Sequence, residues 1–87
     1  MDLQVTFRHI EHTAALDTVI QEKAHKFEKW FHGSYKVHWT CWKDGDEFIS
    51  EVHLHHNHTD YVAKAHDRDM YKTFDQVVHK IQNQIKL

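Results

Sequence analysis

Residues 35–66 read YKVHWTCWKDGDEFISEVHLHHNHTDYVAKAH, and this stretch decides the fold. Apolar and polar side chains alternate along residues 35–42, 48–54 and 61–66, and a period of two is typical of half-buried strands. The Asp44-Gly45 pair between the first two runs is a strong hairpin signal, and the residues around Asn57 form a second turn. The stretch therefore predicts three strands joined as two successive antiparallel hairpins.

A strand and an amphipathic helix precede the hairpins. Residues 2–8 alternate between polar and apolar side chains, which predicts a first strand. Thr13 is a candidate N-cap for a helix that runs to about Phe31, and Gly33 is a natural stop signal. The apolar stripe of this helix consists of Leu16, Ile20, Ala24, Phe27 and Phe31.

A second helix follows the hairpins. It is expected to begin at Asp67 or Asp69, because acidic groups favour the N-terminal end of a helix dipole. Its apolar stripe consists of Met70, Phe74, Val77, Val78, Ile81 and Ile85. The order β-α-β-β-β-α predicts an α+β fold: a four-stranded mixed sheet with two helices packed on one face. The first two strands should be parallel, joined by a right-handed crossover.

Length and composition narrow the class of protein. A chain of 87 residues forms one domain, residues 1–87, and is too short for a catalytic domain with its own cofactor fold. The single Cys41 excludes an intrachain disulfide and fits a reducing compartment. The N-terminus lacks the features of a signal peptide, and no apolar run is long enough to cross a bilayer. We therefore expect a cytoplasmic protein without a membrane partner.

Sequence motifs for catalysis are lacking. The patterns GxSxG, HExxH, CxxC and the Walker loop do not occur. Cys41 has the parity of the core-facing side chains of its strand, which predicts a buried structural thiol. The sequence therefore predicts neither an enzyme nor a cofactor.

Lysines recur on the first helix. Lys23, Lys26 and Lys29 are spaced by three residues, so they form a slanting row on one flank of the apolar stripe. Such a row can contact phosphates. From composition alone a solvated helix face is the favoured interpretation, since Glu22 and Glu28 interrupt the row and the formal net charge of the chain is −2.

The second helix carries further basic residues. Lys80 lies on its polar side, and Lys72, His79 and Lys86 form a row with a spacing of seven. If the two helices pack side by side, the groove between them presents a basic strip to an anionic partner.

Histidine is the compositional anomaly, with eleven residues. His53 and His55 lie on one face of a strand, and His38 and His66 share the parity that points away from the helices. A His-x-His pair on a strand can bind zinc or copper, so His53 and His55 are the candidate metal ligands. An open sheet face is also an ordinary place for polar residues, and the sequence supplies no defined third ligand.

Three short motifs carry a family resemblance. They are Ile10–Thr13 (IEHT), Lys26–Trp30 (KFEKW) and Asp69–Tyr71 (DMY), in the order and spacing that agree with β-α-β-β-β-α. Across residues 3–85 the chain resembles the bacterial ribosome hibernation-promoting factors and ribosome-associated inhibitors, in their short form.

The resemblance implies a function. Such proteins bind the small ribosomal subunit between head and body, block the path of messenger RNA and transfer RNA, and silence ribosomes in stationary phase or stress. It implies the small subunit and its ribosomal RNA as partners, no DNA, and a monomer off the ribosome. The positions that match the basic surface of the family are Lys23, Lys26, Lys29 and Lys80, with Arg8 as an addition at the end of the first strand. Lys86, from the row on the second helix, completes the candidate RNA-binding residues.

Two other functions remain open from the sequence. One is a general module that binds duplex RNA with a similar β-β-β-α geometry. The other is a His-rich metal-binding protein.

Overall fold

The structure, a computed structural model, describes residues 1–85. Its elements are β1 (Asp2–Arg8), α1 (Ala14–Ala24), a 3-10 helix (His25–Lys29), β2 (Lys36–Asp44), β3 (Glu47–His56), β4 (Thr59–Asp67) and α2 (Met70–Ile85). The four strands form one sheet in the order β1-β2-β3-β4. β1 pairs with β2 in parallel, whereas β2 with β3 and β3 with β4 are antiparallel. The predicted fold class is confirmed.

One face of the sheet carries the core. Side chains of one parity on the strands, such as Val37, Trp39 and Val52, are almost fully buried. The buried side chains of both helices belong to the same cluster, with Ile20 from α1 and Phe74 from α2. Both helices therefore cover one face of the sheet and leave the other open, as the alternating pattern predicts.

The first helix differs from its prediction in one respect. The α-helical part ends at Ala24, and the chain continues to Lys29 as a 3-10 helix. The carbonyl of Phe27 accepts from both the Trp30 and the Phe31 backbone N–H, at 3.0 and 2.9 Å. A tightened last turn is common at helix ends. Here it brings Phe27 and Phe31 into the core together, since both are buried.

Side-chain caps fix where the helices begin. The Thr13 hydroxyl accepts from the Leu16 backbone N–H at 3.1 Å, which confirms the predicted N-cap of α1. The Asp69 carboxylate accepts from the Tyr71 N–H at 2.9 Å, so Asp69 caps α2. Asp67 lies two residues earlier and accepts from the Asp69 backbone N–H at 2.9 Å. That hydrogen bond lowers the pKa of the Asp67 carboxyl.

Replacing Asp69 by alanine is expected to lower the free energy of unfolding by about 1 kcal/mol, the usual cost of losing a carboxylate N-cap. The substitution leaves the Tyr71 N–H without its acceptor. Asp69→Asn retains a side-chain oxygen acceptor and should cost less than half as much. Urea unfolding of the three proteins measures the difference. Equal stability of the alanine and wild-type proteins would remove Asp69 from the cap.

The turn between β3 and β4 uses an unfavourable backbone conformation. Asn57 and His58 both have positive φ, 49° and 63°, which is the pattern of a mirror-image hairpin turn. Asparagine tolerates the left-handed region, but a histidine there is strained. The sequence therefore stores strain at the tip of this hairpin.

His58→Gly is expected to raise the free energy of unfolding by about 1 kcal/mol, because glycine adopts positive φ without steric cost. His58→Ala is the matched control: it removes the imidazole but retains the Cβ, so it should not stabilise the protein. Thermal unfolding compares the two variants. A gain that is equal in both would show that the imidazole, and not the backbone, is the source.

Candidate nucleic-acid interface

The 3-10 helix presents two exposed lysines. Lys26 and Lys29 are exposed, and neither forms an ion pair with any residue from 1 to 85. Phe27, fully buried between them, packs its ring 6.4 Å from the Trp39 ring between centroids. The buried Phe27 therefore fixes the position of the short turn that carries Lys26 and Lys29. We call Lys26 and Lys29 the lysine pair.

Acidic residues adjoin the lysine pair without neutralising it. Glu28 lies 3.5 Å from His25, measured between Oε1 and Nδ1, on the exposed side of the same turn. Asp75 on α2 instead contacts Lys23, with Nζ 2.9 Å from Oδ1. Lys23 was predicted to belong to the slanting row of lysines on the first helix. In the structure Lys23 links α1 to α2 through an ion pair, and the Asp75 carboxylate compensates its charge.

Of the predicted basic residues of α2, Lys72 and His79 are exposed, and Lys80 reaches the edge strand β4. The Lys80 ammonium donates to the backbone carbonyl of Lys64 at 2.6 Å, and Gln84 donates to the carbonyl of Val62 at 2.6 Å. These two side chains bind backbone carbonyls of the edge strand β4. Unpaired backbone groups on an edge strand can pair with a strand of another molecule, and these hydrogen bonds oppose such pairing. Lys86 falls outside the residues that the structure describes.

Arg8 lies on the opposite side of the sheet from the lysine pair. Leu3 and Val5 pack against the core, so the alternate residues of β1, including Arg8, point to the open face. The Arg8 guanidinium carbon is 4.3 Å from the centroid of the Trp42 ring. Arg8 therefore does not lie beside the helical lysines with which the resemblance groups it, and its role in RNA binding stays a prediction.

Lys64 is a basic residue that the sequence reasoning missed. Its Nζ lies 5.3 Å from the centroid of the same Trp42 ring, across the sheet from Arg8. The parity of Lys64 matches that of His66 on β4, which is the signal that placed it on the open face. We call Arg8, Trp42 and Lys64 the Trp42 cluster.

The candidate metal ligands share a carboxylate. His55 donates from Nδ1 to Asp60 Oδ1 at 2.7 Å, and His53 Nε2 lies 3.3 Å from the same oxygen. The hydrogen bond from His55 lowers the pKa of the Asp60 carboxyl. Within residues 1–85, no group of three or more His, Cys, Asp or Glu side chains is arranged to hold a metal ion.

The remaining open-face histidines have separate partners. His38 Nε2 and the Thr6 hydroxyl are 3.0 Å apart, and His66 Nδ1 donates to Glu47 Oε2 at 3.0 Å. Parity thus placed all four histidines on the correct face. Only His53 and His55 share a partner, so the four side chains do not gather around one point.

The buried cysteine belongs to a polar chain in the core. Cys41 is fully buried, with its Sγ 3.4 Å from the Ser50 hydroxyl, which lies 2.7 Å from the Thr73 hydroxyl. Burial raises the pKa of the Cys41 thiol. The thiol is therefore protonated and structural, as its parity predicts.

Among the helices described, none is long and apolar enough to cross a membrane.

A family model matches the sequence of this chain from residue 3 to residue 86. The description of that family is sigma 54 modulation protein / S30EA ribosomal protein. The chain belongs to this S30EA family. The resemblance predicted from the three motifs is confirmed.

Individual relatives agree with the S30EA assignment. The ribosome hibernation promoting factor of Salmonella typhimurium is 29% identical over 85 residues, which cover 98% of this chain and 90% of that protein. The N-terminal domain of Protein Y from Thermus thermophilus superposes with a TM-score of 0.90 at 18% identity, covering 99% of this chain and 97% of that one. A ribosomal subunit interface protein from Coxiella burnetii gives 0.85 at 23% identity, covering 98% and 93%. These solved structures share the fold of this S30EA member.

Proposed function

We propose that the chain binds the small ribosomal subunit through its ribosomal RNA, in the path of messenger RNA and transfer RNA, and silences ribosomes in stationary phase or stress. The observation that carries the proposal is the S30EA family match over residues 3–86. The names of two relatives, a ribosome hibernation promoting factor and a ribosomal subunit interface protein, support the ribosome as the partner.

The lysine pair supports RNA as the contacted component. Lys26 and Lys29 are exposed cations on a turn fixed by the buried Phe27. Phosphate contacts of this kind position a protein on RNA and carry no sequence information. Recognition of one ribosomal site then comes from the shape of the RNA around the domain, as is usual for structured RNA.

The proposed mechanism is steric and requires no chemistry. A single rigid layer of helices on a four-stranded sheet occupies space that messenger and transfer RNA need. The Cα trace extends over 35 × 25 × 19 Å, and we expect a domain of this size to act as a rigid wedge between the head and the body of the subunit. The proposal implies a cytoplasmic protein that is a monomer off the ribosome.

Co-sedimentation with purified subunits tests the proposal. The protein should pellet with small subunits and not with large ones, and it should inhibit translation of a reporter messenger RNA in a reconstituted system. Messenger and transfer RNA added in excess beforehand should reduce its binding, because they occupy the same path. Binding to small subunits that is unaffected by this competition would contradict the proposed site.

A further inference from the structure

The Trp42 cluster covers part of the open sheet face and has no role in the proposal above. Trp42 is half-buried near the end of β2, directly beside Arg8 in the parallel register. Its cross-strand partner Ile49 is only 8% exposed although it points away from the helices. The indole thus protects an apolar spot on this face, with Arg8 and Lys64 near the same ring.

Stacking orients the Arg8 guanidinium for bidentate pairing with an anionic group. A guanidinium held over an aromatic ring loses conformational freedom, while its N–H donors stay available at the edge of the plane. Arg8 forms no ion pair and no side-chain hydrogen bond with any residue from 1 to 85. Bidentate pairing with a phosphate is the interaction that such a fork favours.

Two carboxylates, Glu47 and Glu51, lie on this face, and Glu51 lines the same cavity as Arg8. Glu47 accepts from His66 at 3.0 Å. Glu51 is the cross-strand partner of Lys64 on β3, yet within residues 1–85 it forms no ion pair with that ammonium or with Arg8. Arg8 and Lys64 therefore remain near one ring, and neither forms an ion pair within residues 1–85.

We propose that the Trp42 cluster is a second phosphate-binding site for an RNA strand, on the face of the sheet opposite the lysine pair. Arg8 holds one phosphate in bidentate fashion, and the Lys64 ammonium adds a second positive charge beside it. The inference rests on the proposed function, because it identifies RNA as the ligand. Cations on both faces let the domain be held between two RNA segments instead of lying on one.

An oligoribonucleotide titration followed by NMR tests the site on the isolated protein. The probe is a uridine oligoribonucleotide of about twelve nucleotides, and the signals are the Trp42 indole N–H and the backbone amides of Arg8 and Lys64. These signals should shift with the RNA at a concentration where inorganic phosphate leaves them unchanged. An equal response to inorganic phosphate would assign the site to a small ion and overturn the RNA assignment.

Substitutions identify the residues responsible. Arg8→Gln should weaken oligonucleotide binding about tenfold and lower the salt slope by about one unit, as expected for one lost phosphate contact. Arg8→Lys keeps the charge without the planar fork, so its affinity should fall between the two. Lys36→Gln is the matched control, since it removes one exposed charge from the far end of the same face. Equal losses in folded Arg8→Gln and Lys36→Gln proteins would overturn the proposal.

Small-subunit binding separates this inference from the proposed function. If the wild-type protein fails to bind small subunits, the proposed function fails and the oligonucleotide result alone decides the inference. If the wild-type protein binds but Arg8→Gln with Lys64→Gln binds with unchanged affinity and salt slope, the inference fails alone. The predicted result is ribosome binding by the wild-type protein and at least tenfold weaker binding by the double variant.

Discussion

Replacing Lys26 and Lys29 together by glutamate is expected to weaken binding to the small subunit about a hundredfold. A charge-assisted contact contributes about 1.5 kcal/mol, which corresponds to about tenfold for each lysine. Both ammonium groups are exposed and unpaired within residues 1–85, so the free protein should keep its stability. Titration of labelled protein at several salt concentrations gives the affinity, and the salt slope should fall by about two units.

A second double variant controls for net charge. Lys36→Glu with Lys43→Glu changes the formal charge by the same amount at exposed positions on β2, away from the lysine pair. Long-range repulsion alone should weaken its binding by only a fewfold and leave the number of phosphate contacts unchanged. Equal affinities for the two double variants, both folded, would show that the lysine pair is not at the interface.

Phe27→Ala is expected to lower the free energy of unfolding by about 3–5 kcal/mol, a large part of the stability of a domain this size. The Phe27 ring is fully buried, and its centroid lies 6.2–6.4 Å from those of Trp30, Phe31 and Trp39. Its removal leaves a cavity beneath the 3-10 helix. Because that helix positions Lys26, ribosome binding should weaken as well, even under conditions where the variant is folded.

Urea unfolding measures this effect if the free energy of unfolding depends on urea concentration with the same slope in both proteins. Val62→Ala is the control. Val62 is apolar but 49% exposed, so its truncation should change the stability by less than about 0.5 kcal/mol. A loss below about 1 kcal/mol for Phe27→Ala would mean that the core does not support the 3-10 helix as described.

Periodicity predicted almost the whole fold. Alternation along residues 35–66 and the apolar stripes of the two helices sufficed for the strand order and for the face on which the helices pack. The change from α-helix to 3-10 helix after Ala24 was not predictable, because the spacing of Phe27 and Phe31 suits either geometry. Choosing between Asp67 and Asp69 as the cap of α2 likewise required the hydrogen bonds themselves.

The basic surface was predicted less well, because a lysine's partner depends on tertiary contacts. Spacing on one helix cannot reveal that Asp75 of another helix compensates Lys23, or that Lys80 reaches a carbonyl of β4. The position of Arg8 was readable from the sequence: its parity is opposite to that of the core residue Val5. The family resemblance groups Arg8 with the helical lysines, whereas alternation along β1 places it on the open face of the sheet.

The histidines show the same limit of prediction from sequence: the face of the sheet was predicted, but the hydrogen-bond partners were not. Parity placed His53 and His55 on the open face, but it could not supply the common partner Asp60, which comes from the next strand. Cross-strand register decides which polar groups meet, and register depends on the turn between the strands.

Hydroxyl-radical footprinting of small-subunit RNA with the bound protein is the most direct test of the central claim. We predict protection confined to the RNA that lines the path of messenger and transfer RNA. The Lys26→Glu, Lys29→Glu variant at equal concentration should lose this protection, and free duplex RNA should gain none. Protection elsewhere on the subunit, or equal protection of free duplex RNA, would contradict the account.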